Sequence, residues 1–167
     1  MLRATEIEAI LIRLSRGEVE FVVIGGVAAL AHGSARVTFD VDVCYRRSSD
    51  NIERLCNVLT PLHPTLRSAP SDMPFKLDVP TVLAGLNFTL SSDLGDLDLL
   101  GEVSGLGEYE AVQAVSETLP LYGLSMQVIT LEGLLAAKRA AGRQKDSEAI
   151  VELEALLELK KANRFSW

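Results

Sequence analysis

The sequence predicts an α/β (α+β) fold: a mixed β-sheet flanked by helices and followed by C-terminal helices. Three observations carry that prediction. Apolar residues recur at helical spacing near the amino terminus and again beyond residue 130. Short apolar or alternating runs at 20–24, 38–45, 86–90 and 96–100 read as strands. The interleaving of the two favours helices covering a sheet over two stacked sheets. At 167 residues, 48% apolar and 23% charged, the chain is long enough for one domain and too apolar for extended disorder. A single domain over 1–167 is expected, with a core at about 18–130 and a helical segment at about 130–162.

Taken in order, Thr5 with Glu8 three residues on has the form of a capping box, and Ile7, Ile10, Leu11 and Leu14 continue a helix to Gly17. Residues 20–24 form a buried strand, 25–31 a short helix after a glycine pair, and 38–45 a second strand. Asp50 with Glu53 caps a helix to about Leu59. Residues 60–80 hold five of the six prolines, which favours a long irregular connection. Strands return at 86–90 and 96–100, followed by a helix near 109–115 and a hairpin around Gly123. Thr130 caps a helix that Gly142 ends, and Asp146 opens a last helix to about Lys161.

Composition excludes several functions. The longest apolar run, FVVIGGVAALA, has eleven residues, short of the roughly 20 a membrane helix needs. The amino-terminal stretch carries Glu6 and Glu8 and no small-residue cleavage site, so it does not read as a secretory signal and a cytoplasmic location is expected. Cys44 and Cys56 are the only cysteines and lack a C-x-x-C spacing, so they read as reduced core thiols. A net charge of −7 argues against a broad polyanion-binding surface and leaves room for local basic patches. Two histidines leave little for a zinc centre, and no Ser, His and Asp set suggests a hydrolase triad.

The chemistry concentrates at IGGVAALAHGSARVTFDVDV, residues 24–43. Strand alternation puts Asp40 and Asp42 on one face, about 7 Å apart at the backbone, with Phe39, Val41 and Val43 on the other. Like charges that close repel, so either a cation lies between them or the face is simply wet. In GDLDLL, Asp96 and Asp98 likewise share a face. If the two strands are neighbours, three carboxylates surround one point, an oxygen-only environment suited to Mg²⁺. Gly25 and Gly26 either make a tight strand-to-helix turn or let backbone N–H groups approach a phosphate. Lys138 follows Leu131, Leu134 and Leu135 on an apolar stripe, so its ammonium either snorkels to water or points into a cleft, with Arg139, Arg143 and Lys145 nearby. Arg36 either clamps a phosphate or solvates a loop, and His32 reads as a helix-end residue.

A glycine pair, thirteen intervening residues, Asp-x-Asp and a later carboxylate on a separate strand together resemble the polymerase β-like nucleotidyltransferase superfamily. HGSARVTFDVDV, LGDLDLLG and LEGLLAAKRAAGRQKD look like small bacterial members related to abortive-infection toxins. The resemblance implies transfer of a nucleoside monophosphate from a nucleoside triphosphate to an acceptor hydroxyl on RNA, such as tRNA, or on protein. It implies that Gly25 and Gly26 hold phosphate, that Asp40 and Asp42 bind Mg²⁺ (two ions, or Mn²⁺ in its place), and that Lys138 contacts the triphosphate. Asp98 fits the third carboxylate, with Asp96 the alternative. The second glycine stands where many relatives carry a serine. A toxin paired with an antitoxin is one implied setting. An inactive nucleotide-binding or protein-interaction module of the same fold is the alternative, the latter resting on a stripe of Ile150, Leu153, Leu156 and Leu157.

Overall fold

The computed structural model describes residues 5–70 and 72–164, so the first four residues of the amino-terminal stretch lie outside the described residues. The elements run α1 (Ile7–Arg16), β1 (Phe21–Ile24), α2 (Gly25–Ala31), β2 (Asp40–Tyr45), α3 (Ser49–Leu59), β3 (Thr65–Leu66), α4 (Val79–Ala84), β4 (Asn87–Ser92) and β5 (Gly95–Leu100). They continue with β6 (Glu102–Val103), β7 (Gly107–Glu108), α5 (Tyr109–Ala114), β8 (Ser116–Leu121), β9 (Leu124–Ile129), α6 (Leu131–Ala141) and α7 (Ser147–Asn163). Seven strands form one sheet in the order β3-β4-β5-β2-β1-β9-β8, and β6 pairs with β7 in a small hairpin. The sheet is mixed: β2 runs parallel to β5 and β1 parallel to β9, with the remaining pairs antiparallel. The α/β (α+β) expectation holds.

The central strands explain themselves by burial. All four residues of FVVI in β1 are buried, as expected for a strand covered on both faces. In β2 and β5 the alternation is strict at the site end. Val41, Val43, Leu97 and Leu99 are buried while Asp40, Asp42, Asp96 and Asp98 are half-buried on the opposite face. Each of those apolar side chains contributes about 1.5–3 kcal/mol by leaving water, which fixes the strand register and hence which face carries the acids. On the helical side α1 and α3 pack together, α2 packs on β1, β2 and α6, and α6 packs on α7. In α7, Leu153 is buried, with Ile150, Leu156 and Leu157 packed against the core, so that stripe is interior packing.

Three local readings need correction. Thr5 does not cap α1. The helix begins at Ile7 with Glu6 at its N-cap, too far along for Thr5 to reach the first-turn N–H groups, and the Thr5 hydroxyl donates to the Phe39 carbonyl and accepts from the Asp96 N–H at 3.1 Å. At α3 the cap is Ser48, which accepts from Asn51 N. Asp50 sits inside the first turn, where its charge suits the positive helix end. Residues 60–80 are not wholly irregular. They hold a 3₁₀ turn at Thr60–Leu62, the two-residue β3 and the start of α4, capped by Asp78. Pro61 and Pro80 occupy first-turn positions where no N–H is needed, and two residues are too few to show a strand period. The other helix ends follow the sequence: Thr130 accepts from Gly133 N at 3.1 Å, and Gly142 takes φ 62°.

Candidate active site

Register assembles the acidic face. In the parallel pair β2–β5, Asp40 lies opposite Asp96 and Asp42 opposite Asp98, so four carboxylates stand on one face of two adjacent strands. Asp40, Asp42 and Asp98 each offer a carboxylate oxygen, and these three lie within 4.8 Å of one another. Asp96 stands outside that group, accepting from Ser91 Oγ at 3.2 Å. Packing them together changes their proton affinities. Burial, then the charges of Asp40 and Asp98, push the Asp42 carboxyl up to about 8, against a lowering pull from Lys138. Burial and Asp98 also raise Asp40, opposed by Arg67.

The glycine turn is placed by the antiparallel pairing of β1 with β2, which sets Ile24 opposite Asp42. The next residue, Gly25, therefore lies against the Asp42 side chain. It has φ +64°, and a Cβ there would stand 2.0 Å from Asp42 Oδ2. Only glycine fits, on both backbone and steric grounds. A Cβ on Gly26 would stand 2.5 Å from Thr38 Oγ1, which itself donates to the Asp40 carbonyl.

Lys138 is the cation on the β1 side. Its side chain is 18% exposed, and it borders two clefts. One, of about 250 Å³, runs along Gly25, Gly26, Asp42, Asp98 and Arg143. The other, of about 200 Å³, runs along Arg36, Phe39, Asp40 and Glu152. The ammonium lies 3.4 Å from Asp146 Oδ1, and Arg143 Nε lies 2.7 Å from Asp146 Oδ2. Burial would raise the Asp146 carboxyl, but the Arg143 hydrogen bond and the Lys138 charge hold it below its ordinary value. Asp146 does precede α7, yet it makes no side-chain cap there, because both its oxygens serve these cations. Its spacing of three from Arg143 is the trace the sequence carries of that role.

Arg36 lines the second cleft and pairs with Glu148 of α7 at 3.7 Å rather than with the acids. The loop before it is fastened by Glu152, which accepts from Ser34 Oγ and from Ala35 N. His32 Nε2 contacts the Ile129 carbonyl at 2.7 Å, an anchoring contact at the end of α2. Cys44 and Cys56 are buried and free, and burial followed by the Glu110 and Glu108 charges pushes Cys44 up to about 12.

Arg67 is the residue that sequence reading missed. Its Nη2 lies 2.5 Å from Asp98 Oδ1 and 3.9 Å from Asp40 Oδ2, while Nη1 lies 3.6 Å from Asp96 Oδ2. It follows β3, which pairs with β4, and its own N–H bonds to the Thr89 carbonyl; Thr89 in turn pairs with Asp98. The repulsion between Asp40 and Asp42 signalled a nearby cation, and nothing in a proline-rich stretch pointed to which one.

The chain has the fold of several solved nucleotidyltransferase structures. A lincosamide antibiotic adenylyltransferase, LnuA, solved with lincomycin bound, is 14% identical at a TM-score of 0.61, covering 92% of this chain and 98% of that one. A nucleotidyltransferase-like antigenic protein from Paracoccidioides brasiliensis is 20% identical at 0.54, covering 92% and 74%. A Thermotoga maritima protein described as a nucleotidyltransferase is 14% identical at 0.53, covering 86% and 87%. No protein-family profile and no curated protein sequence matches the chain. Among the described residues no helix is long and apolar enough to cross a membrane.

Proposed function

We propose that this chain is a metal-dependent nucleotidyltransferase that moves a nucleoside monophosphate from a nucleoside triphosphate to an acceptor hydroxyl. The observation that carries the reading is the convergence of Asp40, Asp42 and Asp98 beside a glycine turn that admits no side chain, with Lys138 on the wall of the adjoining cleft. The donor set fits a hard cation, being three carboxylates and nothing softer, two of which, Asp40 and Asp42, have their proton affinities raised by burial and by neighbouring carboxylates. Asp40, Asp42 and Asp98 would hold Mg²⁺, as two ions, or Mn²⁺ in its place; when bound it supplies Lewis-acid polarisation of the transferred phosphate.

The residues of the chain do the rest. Gly25 and Gly26 let backbone approach the phosphates, Lys138 neutralises charge on the triphosphate, and Arg36 offers a second phosphate contact at the rim of the other cleft. The acceptor oxygen attacks the α-phosphorus and the bond to the bridging oxygen of the β-phosphate breaks, releasing pyrophosphate. The hydroxyl proton passes to an Asp98 carboxylate oxygen, Asp98 being the acid of the converging set that β5 supplies. LnuA was solved with a small antibiotic, whereas the resemblance of this sequence to abortive-infection toxins favours RNA or protein as acceptor, an antitoxin as partner and a cytoplasmic setting.

Calorimetric titration of ATP, GTP, CTP and UTP with and without Mg²⁺ tests the reading. Metal-dependent binding of one triphosphate, lost in Asp40→Ala, is the expected result. Absence of binding by all four overturns it. Binding without pyrophosphate release across RNA and protein acceptors assigns the chain instead to the inactive nucleotide-binding class.

A further inference from the structure

The acidic face is bracketed by two cations with different surroundings. Lys138, on the β1 side, has a counter-ion outside the cluster in Asp146, which it shares with Arg143. Among the described residues Arg67, on the β4 side, has only members of the acidic face as acidic partners, Asp98 at 2.5 Å, Asp96 at 3.6 Å and Asp40 at 3.9 Å, and one other side-chain bond, from Nη1 to the Leu90 carbonyl at 3.0 Å. Asp98 is thus shared, since it belongs both to the three-carboxylate set and to the guanidinium.

We propose that Arg67 is a resident counter-cation of the acid cluster, and that a divalent ion binds only as the guanidinium gives up its hold on Asp98. The inference rests on the metal-dependent reading above and adds a residue that sets the site's metal affinity. A carboxylate engaged at 2.5 Å by a guanidinium has less charge to offer a second cation, and a divalent ion seated among oxygens within 4.8 Å of one another repels a positive group already touching one of them. The ion-competent arrangement is therefore a minority state of the unloaded protein, and apparent affinity falls by the fraction that is competent. Arg67 acts through the carboxylates; it is a positioning residue and makes no contact with substrate in this scheme. Arg67 directly follows β3, which pairs with the sheet over only two residues.

Mn²⁺ affinity, measured by electron paramagnetic resonance without nucleotide, tests this in wild type, Arg67→Met and Arg67→Lys. Arg67→Met keeps the stem and removes the charge, and is expected to bind Mn²⁺ about tenfold tighter, from the competent fraction rising toward one. Arg67→Lys, which keeps the charge and loses the fork, should stay within a few-fold of wild type. Equal or weaker binding by Arg67→Met overturns the proposal and makes Arg67 a group that orients Asp98 for the ion. Should Arg67→Met fail to fold, Mg²⁺ titration of wild type followed on the Arg67 guanidinium nitrogen resonances decides. They shift with saturation if the contact with Asp98 is released, and unchanged resonances overturn the proposal. If Asp42→Asn abolishes Mn²⁺ binding while Arg67→Met gains nothing, the Arg67 assignment alone falls; if neither wild type nor Arg67→Met binds Mn²⁺, the metal reading falls with it.

Discussion

Asp42→Asn should make the metal-free protein more stable at alkaline pH, a direction opposite to most substitutions at a half-buried position. Burial and the neighbouring Asp40 and Asp98 raise the Asp42 carboxyl from 3.8 to about 8 in the folded state. The folded protein then holds a proton that the unfolded chain releases. Stability from that proton is fully present below about pH 4, the unfolded value, and is lost as pH rises through about 8. Each decade of proton affinity is worth about 1.4 kcal/mol, which bounds the loss on the order of 5 kcal/mol. Relaxation of the half-exposed neighbours reduces this to about 2–3 kcal/mol. Asparagine is near the same shape and carries no charge at any pH. For a chain of this length the variant should melt about 5–10 °C above wild type at pH 9 in EDTA, with the gap narrowing steadily as pH falls and closing near pH 4. Thermal melts followed by circular dichroism across pH 5–9 read the difference directly. A constant offset between the two proteins over that range would refute the argument, since it would mean that Asp42 does not titrate there.

The same geometry fixes other outcomes. Asp146→Asn removes the shared partner of Lys138 and Arg143 from a side chain only 9% exposed and should cost about 2–3 kcal/mol at neutral pH by chemical denaturation. Because the folded Asp146 carboxyl lies below its ordinary value, that contribution is present above about pH 4 and disappears as pH falls further, so the two proteins should converge in acid. Gly25→Ala forces a Cβ to 2.0 Å from Asp42 Oδ2 at φ +64°, and should lower stability by about 2 kcal/mol in melts while abolishing Mn²⁺ binding. Lys138→Met should weaken triphosphate binding by about tenfold or more in calorimetry and leave Mn²⁺ affinity within a few-fold. Mg²⁺ at a hundred times its dissociation constant should stabilise wild type by about 2.7 kcal/mol, and Asp40→Ala by nothing measurable, in melts with and without EDTA.

Most of the acid cluster was legible because a strand's period of two is unambiguous over VDV and DLDL, where each apolar residue is buried and each acid is not. Adjacency of the two strands was not legible: 53 residues lie between Asp42 and Asp96, and only the hydrogen-bonded ladder shows the strands in parallel register. The strong helix caps at Thr130 and Gly142 were readable from residue type alone, since side-chain oxygen and left-handed backbone are local demands. Thr5 misled for the complementary reason. Its spacing to Glu8 is that of a capping box, but the hydroxyl bonds to the ends of β2 and β5, partners distant in sequence. Arg67 and Asp146 belong to that same class, their roles set by tertiary neighbours rather than by local pattern.

The distribution of charge around the cluster has a consequence for how the site works as a whole. Four carboxylates on two strands would be unstable with nothing positive beside them, yet a cation permanently seated among them would defeat divalent-ion binding. The fold separates the two requirements. Lys138 stands on α6, on the wall of the 250 Å³ cleft, and has an anionic partner outside the cluster in Asp146, which Arg143 shares. Arg67 is fastened at the sheet edge by a two-residue strand, by the Thr89 and Leu90 carbonyls, and by acidic partners that, among the described residues, all lie within the site it neutralises. Under the proposed function, a fixed cation on the side where Gly25 and Gly26 open the cleft and an exchangeable one beside Asp98 would make the two halves of the site respond differently to metal. In that scheme the donor side is organised before loading, and the acceptor side only as Arg67 leaves Asp98.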